Sequence, residues 1–369
     1  METKKLGFGL MRLPKKFTSI DVEQTKTMVD LFLEAGFTYF DTAFLYPGSE
    51  AATKEALVDR YPREQYTLAT KMNAAIPGMT EKMVKNEFET SLKRTGAGYF
   101  DYYLLHALMK NNLKRYDKFD IWGFAKEKKA QGLIKHYGFS FHDEPDVLDK
   151  LLTDHPDVDF VQLQINYMDW EDKKVASRRN YEVARAHGKQ IVIMEPVKGG
   201  KLANPPKEVR ALMDAAAPGV SYASWAIRFA ASLPGVLTVL SGMSNVEQMK
   251  DNLSYMKDFK PLDKDELEII RKAQVILAKS AAVPCTGCRY CVDGCPANVP
   301  IPDIMEALNL HLVSGQTGAG KAAYAAATAG KGSAADCVGC RNCEKTCPQR
   351  IAITDFLKQA DALYGEKNA

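Results

Sequence analysis

Residues 22–43 read VEQTKTMVDLFLEAGFTYFDTA, an amphipathic helical stretch followed at once by a short β-rich run. Apolar residues recur every three or four positions from Val22, which is typical of a helix with one buried face. The pattern stops at Gly36, a residue type that favours the left-handed conformation after a helix. The run 37–43 is rich in aromatic residues and threonine, as strands are. One helix joined so closely to one strand is the repeating unit of a parallel α/β fold.

Similar units repeat along the chain as far as about residue 253. Eight strand–helix repeats predict either a closed (β/α)₈ TIM barrel or a long doubly wound sheet. We favour the barrel because the count is eight and because unusual polar residues follow the carboxyl ends of the strands, where barrel enzymes build their sites. The other predicted strands are 6–11, 66–72, 100–107, 134–141, 160–167, 190–196 and 235–242.

The composition is that of a globular chain with a sizeable core and no strong charge. Apolar residues make up 46% of the 369 residues and charged residues 26%, and the net charge is only +3. Without a basic tract, a nucleic-acid partner is not expected. No apolar run reaches the roughly 18–20 residues of a membrane span. The N-terminal stretch lacks the pattern of a signal peptide, so we expect a cytoplasmic protein with no membrane partner.

All eight cysteines lie beyond residue 284, in two runs of identical spacing. Residues 285–296 read CTGCRYCVDGCP and residues 337–348 read CVGCRNCEKTCP. Each run is C-x₂-C-x₂-C-x₃-C-P, the bacterial iron–sulfur spacing. A disulfide framework would scatter its cysteines through the fold, so these clusters indicate metal. Zinc knuckles are the alternative, but four cysteines in each of two runs exceed what zinc needs.

The same spacing rule assigns the fourth cysteine of each run to the cluster of the other run. One [4Fe–4S] cluster is therefore expected on Cys285, Cys288, Cys291 and Cys347. The second is expected on Cys337, Cys340, Cys343 and Cys295.

The segment of about 281–350 resembles two-[4Fe–4S] ferredoxin domains, with about forty residues between the runs that suggest a helical insertion. We therefore divide the chain into three parts. A barrel spans 1–280, a small and mainly helical ferredoxin-type domain spans 281–350, and a C-terminal helix and tail span 351–369.

Four polar residues stand at or just after successive predicted strands: Asp41, Tyr46, Lys71 and His106. Taken singly, Asp41 has an ordinary interpretation as a turn cap, Lys71 as a surface lysine and His106 as a core histidine. Together, on one face of one barrel, they indicate a shared site, because titratable groups cluster where chemistry is done.

In their order and local sequence these four residues resemble the tetrad of the aldo–keto reductase family, and the resemblance covers about residues 5–255. It implies that Tyr46 protonates a carbonyl oxygen while hydride reaches the carbon. It also implies that Lys71 lowers the pKa of Tyr46, that Asp41 orients Lys71, and that His106 hydrogen-bonds the carbonyl.

The resemblance further implies NAD(P)H as a cofactor. Ser140 and Gln164 match positions that hold the nicotinamide carboxamide, and Met194 stands where many members stack a tyrosine on the ring. Gly199, Gly200, Ser241, Gly242, Ser244 and Asn245 follow the last two strands, the usual phosphate region of a barrel. Ordinary turn glycines and a helix cap are the alternative interpretation. A flavin is the alternative cofactor, since Phe141 replaces the usual asparagine after the serine.

These inferences predict an oxidoreductase of the aldo–keto reductase type that reduces a small-molecule carbonyl and is coupled to electron transfer through two [4Fe–4S] clusters. Because nicotinamide moves electron pairs and clusters move single electrons, direct exchange between them is unfavourable. A redox partner protein is among the expected partners. Two alternatives stay open at this point. In the first, the chain is an electron-transfer protein with a flavin- or nicotinamide-binding barrel. In the second, it is a reductase whose clusters are only structural.

Overall fold

The computed structural model describes residues 4–279 and 282–365. Eight parallel strands close into a barrel in which every strand pairs with its neighbours in sequence and the last pairs with the first. The closed barrel confirms the TIM-barrel prediction and excludes the doubly wound sheet. The strands are β1 (Leu6–Gly9), β2 (Tyr39–Asp41), β3 (Thr67–Met72), β4 (Phe100–Leu108), β5 (Ile134–Phe141), β6 (Phe160–Gln164), β7 (Gln190–Met194) and β8 (Val236–Ser241).

Helices cover the outer face of the sheet and side chains from the strands fill the inside of the barrel, so both faces are buried and the strands are apolar almost throughout. Every residue of β4 and of β6 is buried. A small hairpin, Lys15–Lys16 with Ser19–Ile20, follows β1. The helices of this part are α1 (Val22–Glu34), α2 (Ser49–Thr53), α3 (Glu81–Thr95), α4 (Leu113–Lys118), α5 (Ile121–Ala130), α6 (Pro145–Asp154), α7 (Ser177–Ala186), α8 (Lys207–Ala216), α9 (Tyr222–Ser232), α10 (Val246–Met256) and α11 (Lys264–Leu277).

Local sequence explains where α1 begins and ends. The Asp21 carboxylate accepts a hydrogen bond from the Gln24 backbone N–H and satisfies one of the free donors of the first turn. Gly36 follows the helix with a φ of +79°, the left-handed conformation that glycine adopts at little cost. The chain then turns directly into β2, so that Asp41 emerges at the carboxyl end of the barrel.

The iron–sulfur segment forms a second unit with a hydrophobic core of its own. Its helices are α12 (Ile301–Ser314), α13 (Thr317–Thr328), α14 (Asn342–Lys345) and α15 (Ile353–Tyr364). The last helix packs in this core, where the Tyr364 hydroxyl donates to the Ala307 carbonyl oxygen at 3.0 Å. We call residues 282–365 the iron–sulfur module.

The module lies over the carboxyl-end mouth of the barrel, on the loops that follow the strands. Arg12, just after β1, donates to the Thr286 carbonyl oxygen at 2.7 Å. Asn111, after β4, donates to the Lys345 carbonyl oxygen at 2.9 Å. Arg350 pairs with Asp143 and Glu144, which follow β5. Among the described residues, no helix is both long and apolar enough to cross a membrane.

Candidate active site

The four polar residues predicted at strand ends come together at the mouth of the barrel. The Lys71 ammonium donates to Asp41 Oδ1 at 2.5 Å and to the Thr42 carbonyl oxygen at 2.7 Å. Lys71 Nζ lies 5.0 Å from the centre of the Tyr46 ring. The His106 ring meets the Tyr46 ring edge-on at 5.8 Å between centroids. One cluster therefore joins a cation, a carboxylate, a phenol and an imidazole.

Burial sets the protonation of this cluster. Desolvation raises the pKa of Tyr46 well above its ordinary value, and the neighbouring Tyr290 and Asp41 raise it further. The sequence analysis expected Lys71 to lower this pKa, whereas burial raises it. Desolvation also lowers the pKa of His106 well below its usual range. The phenol therefore keeps its proton, and the imidazole is neutral.

A fifth polar residue, Tyr290, enters this cluster from the iron–sulfur module. Its hydroxyl lies 3.3 Å from His106 Nε2 and hydrogen-bonds with the Tyr46 hydroxyl. It stands between two cysteines of the first run, in Cys288-Arg-Tyr290-Cys291. Sequence reasoning missed it because a tyrosine between spaced cysteines carries no signal for a barrel more than 180 residues earlier.

A cavity of about 720 Å³ opens beside these residues. Its walls come from the carboxyl ends of the strands and from the module, which contributes Thr286, Cys288, Tyr290, Pro348 and Gln349. Of the predicted cofactor residues, the ones that line it are Ser140, Gln164, Met194, Gly199, Gly200, Ser241, Gly242 and Ser244. Asn245 instead caps α10, where its side chain accepts from the Gln248 N–H at 2.8 Å.

Several of these residues are already engaged with protein groups. The Ser140 hydroxyl accepts from the Ala107 N–H at 2.7 Å, and the Ser241 hydroxyl bonds Asn252 Oδ1 at 2.7 Å. Gly199 has a φ of +64°, and a Cβ there would lie 2.6 Å from the Thr286 carbonyl oxygen. This glycine therefore lets the loop after β7 approach the module backbone.

Among the predicted cofactor residues, Gln164 has the side chain that is most fully hydrogen-bonded to other protein groups. Its side-chain amide pairs reciprocally with that of Gln349, at 2.9 Å in both directions, and its Nε2 also donates to Asp169 Oδ2 at 2.8 Å. Lys198 Nζ donates to Gln349 Oε1 and to Asp169 Oδ1, both at 2.6 Å. We call these four residues the Gln164–Gln349 network. A nicotinamide carboxamide does not fit Gln164 in this arrangement, because the amide has no free donor.

The cysteines of the first predicted set share one cavity. Cys285, Cys288, Cys291 and Cys347 line it together with Ile301, Met305, Ile351 and Ile353. Four thiols in an apolar shell fit a [4Fe–4S] cluster, whose ligands are thiolates. No group of three or more His, Cys, Asp or Glu side chains in 4–279 and 282–365 is placed to hold a single metal ion. The observation that supports a cluster at this position is that the four thiols line the same cavity.

The second predicted set is more open. Burial raises the pKa of the Cys343 thiol and the neighbouring Glu344 and Cys337 raise it further, whereas Cys340 is exposed. Cys295 Sγ accepts from the Val299 N–H at 3.4 Å. This set therefore faces outward, whereas Cys288 of the first set lines the barrel cavity.

A closed parallel barrel with a buried lysine–aspartate pair, a neutral histidine and a protonated tyrosine at its mouth defines a class of barrel oxidoreductases. The model of the Aldo/keto reductase family matches residues 5–275, and the chain belongs to that family. A 4Fe-4S dicluster domain matches residues 284–353. The chain is thus an oxidoreductase-family barrel joined to an iron–sulfur domain.

Curated relatives carry oxidoreductase names, and solved structures share the fold of the barrel. The uncharacterized oxidoreductase YqkF of Bacillus subtilis is 24% identical over 69% of this chain and 87% of its own. An aldo-keto reductase of Mycolicibacterium smegmatis is 30% identical, over 41% of this chain and 50% of its own. An aldo-keto reductase of Bacillus halodurans superposes with a TM-score of 0.59 at 24% identity, over 73% of this chain and 91% of that one. An aldo/keto reductase of Klebsiella pneumoniae in complex with NADP and acetate has a TM-score of 0.58 at 18% identity, covering 74% and 92%.

Proposed function

We propose that this protein reduces a small-molecule carbonyl with Tyr46 as the proton donor, coupled to electron transfer through two [4Fe–4S] clusters. The observation that supports this proposal is the shared cavity. Tyr46 and His106 of the barrel line it together with Cys288 and Tyr290 of the first cysteine run. A substrate there touches both the proton-donating residues and the loop that would hold a cluster.

Tyr46 supplies the proton that ends on the substrate oxygen. Reduction of a carbonyl to an alcohol adds two electrons and two protons: Tyr46 supplies the proton of the new O–H bond, single electrons from the reductant pass through the clusters, and water supplies the proton that reaches carbon. Burial keeps the phenol protonated until a substrate arrives. The neutral imidazole of His106 faces the same cavity and orients the carbonyl by a hydrogen bond to its oxygen.

Lys71 and Asp41 act on Tyr46 after the proton has left. The ammonium at 5.0 Å from the phenol ring stabilises the negative charge that develops on it. Asp41 holds that ammonium in place and opposes the lowering of its pKa by burial. Lys71 is therefore a fixed positive charge at the site where negative charge appears.

The cysteines would hold the two clusters, which supply single electrons when bound. The exposed Cys340 places the second set at the surface, where a one-electron redox partner protein has access. The cytoplasm is the compartment we propose, because free thiols persist in a reducing compartment.

The test is anaerobic carbonyl reduction by the cluster-loaded protein, with NADPH and titanium(III) citrate offered in turn as reductants. We expect Tyr46→Phe to lower kcat/KM at least about 100-fold, since a positioned general acid contributes that much. Tyr255→Phe is the matched control, because its hydroxyl is buried without a partner among the described residues and does not line the cavity. Activity of Tyr46→Phe equal to that of the control contradicts the proposal.

The same preparations separate the two alternatives. An electron-transfer protein would show reversible one-electron titration of its clusters with no turnover of any carbonyl. A reductase with purely structural clusters would keep its activity in Cys288→Ser while its melting temperature fell. Coupling predicts that Cys288→Ser loses reduction driven by titanium(III) citrate although Tyr46 is intact.

A further inference from the structure

Gln349 of the iron–sulfur module places its side-chain amide against Gln164, the residue expected to hold a nicotinamide carboxamide. Gln164 Nε2 has two hydrogens. One is taken by Asp169 Oδ2 at 2.8 Å and the other by Gln349 Oε1 at 2.9 Å. Gln164 Oε1 in turn accepts from Gln349 Nε2 at 2.9 Å. Gln349 thus presents to Gln164 the same donor and acceptor groups that a nicotinamide carboxamide would present.

Gln349 is itself fixed from the barrel side. Its Oε1 accepts a second hydrogen bond, from Lys198 Nζ at 2.6 Å, and Lys198 also binds Asp169. Only 4% of Gln349 and 1% of Lys198 is exposed. The Lys198 backbone has a φ of +50°, a left-handed conformation that a lysine rarely adopts. This turn in the loop after β7 brings the Lys198 ammonium against the side-chain amide of Gln349.

The module also fills the neighbouring parts of the expected nicotinamide position. Tyr290 lies on His106 and Tyr46, and the Thr286 backbone lies against Gly199. The hydroxyl of Ser140, the other expected carboxamide contact, accepts from the Ala107 N–H. Both groups expected to hold a carboxamide are thus hydrogen-bonded to protein, Gln164 through both hydrogens of its amide and Ser140 as an acceptor.

We infer that this barrel does not bind a nicotinamide cofactor with its carboxamide on Gln164, and that Gln349 is the residue that excludes it. A nicotinamide would have to break a buried, fully bonded amide pair and leave the Lys198 ammonium with one partner fewer. The inference concerns binding alone and does not depend on the reaction proposed above. It departs from the NAD(P)H cofactor that the family resemblance implies.

The test is equilibrium dialysis of NADPH and of NADP⁺ against the full-length, cluster-loaded protein under anaerobic conditions. For the wild type we expect a Kd weaker than about 1 mM, far from the micromolar range of a dedicated site. Gln349→Ala removes the competing amide and is expected to tighten binding at least tenfold. Gln349→Asn keeps an amide but is one methylene too short to reach Gln164, and we expect the same gain.

Gln131→Ala is the matched control, because Gln131 is exposed just after α5 and, within residues 4–279 and 282–365, its side-chain amide donates only to Glu127. Visible absorbance of the clusters and the melting temperature establish that each variant is folded and loaded. A micromolar Kd in the wild type overturns the inference. A wild type that does not bind, together with no gain in either Gln349 variant, overturns the role of Gln349. Loss of carbonyl reduction in Tyr46→Phe would stand in both cases, so the two proposals fail separately.

Discussion

Two lysines at the barrel mouth are almost fully buried, and each lies on an aspartate. Lys71 and Lys198 are both 1% exposed, with Asp41 and Asp169 as their partners. A buried ammonium is stable only when its charge is paired and its hydrogens are bonded. Lys71 belongs to the cluster around Tyr46, for which we propose proton donation, and Lys198 belongs to the Gln164–Gln349 network. A buried lysine–aspartate pair therefore lies beside Tyr46 at one side of the mouth, and a second pair lies at the contact between the barrel and the module on the other side.

Glu87 on α3 predicts a pH dependence of stability. Burial raises its pKa from an ordinary 4.5 to about 8, while Oε2 accepts from the Asn73 N–H. Between those two values the folded state holds a proton that the unfolded chain has lost, so stability falls as pH rises. We expect the free energy of unfolding of Glu87→Gln to depend less on pH from about 4.5 to 8 than that of the wild type.

Urea unfolding at several pH values measures this difference. Glu89→Gln is the control, since Glu89 lies on the same helix but is exposed beside Lys128. Parallel pH profiles for the wild type and Glu87→Gln would contradict the raised pKa.

At the scale of elements, the loop after β7 contains two adjacent glycines that differ in their surroundings. A Cβ on Gly199 would lie 2.6 Å from the Thr286 carbonyl oxygen, whereas a Cβ on Gly200 would meet nothing within 4 Å. Both have positive φ, so both substitutions carry backbone strain. Only the first also pushes the module away from the barrel.

We therefore expect Gly199→Ala to destabilise the protein by about 1–3 kcal/mol more than Gly200→Ala does, the usual cost of overpacking a tight contact. Thermal unfolding of both variants measures the difference. Equal melting temperatures would show that the contact with Thr286 yields without cost.

The sequence predicted elements better than contacts between them. All eight strands were placed because their apolar runs are long and are separated by amphipathic helices. The predicted strand 160–167 ends at Gln164 in the structure: Ile165 still donates its backbone N–H to the Met194 carbonyl oxygen of β7, and the buried residues that follow pack in the core outside the sheet. The tetrad was predictable because each member stands at a strand end, and barrel closure brings such ends together.

Tyr290 and Gln349 were not predictable in this way. Their partners, His106 and Gln164, lie more than 180 residues away in the chain. The cysteine spacing predicts that the first run binds an iron–sulfur cluster, but it does not predict that this run packs against the mouth of the barrel. Contact between two separately folded cores depends on their shapes, and periodicity along the chain does not report shape.

At the scale of the whole molecule, Tyr290 makes the module part of the proposed reaction site. Its hydroxyl occupies the space beside His106 and Tyr46 where a carbonyl oxygen is expected. A substrate must displace that hydroxyl before it reaches both residues. Tyr290 is a positioning residue in this proposal, since it acts through the two groups that it hydrogen-bonds.

Tyr290→Phe removes the competing hydroxyl and keeps the ring. We expect KM for a carbonyl substrate to fall about 2–10-fold, as the loss of one hydrogen bond of about 0.5–1.5 kcal/mol implies, with a smaller change in kcat. Steady-state kinetics of the cluster-loaded protein measures both. Tyr99→Phe is the control, because Tyr99 lies just before β4, at the opposite end of the barrel. An unchanged KM would mean that substrate binds without moving Tyr290.

The cavity of four thiols takes three cysteines from the first run and Cys347 from the second. During synthesis the barrel leaves the ribosome before either run, and domains that emerge first generally fold first. Until the residues between Cys291 and Cys347 are translated, a nascent chain carries Cys285, Cys288 and Cys291 without Cys347, the fourth cysteine of the cavity. We therefore expect loading with iron to be completed after the barrel has folded, when the thiols gather against a barrel mouth that is already formed.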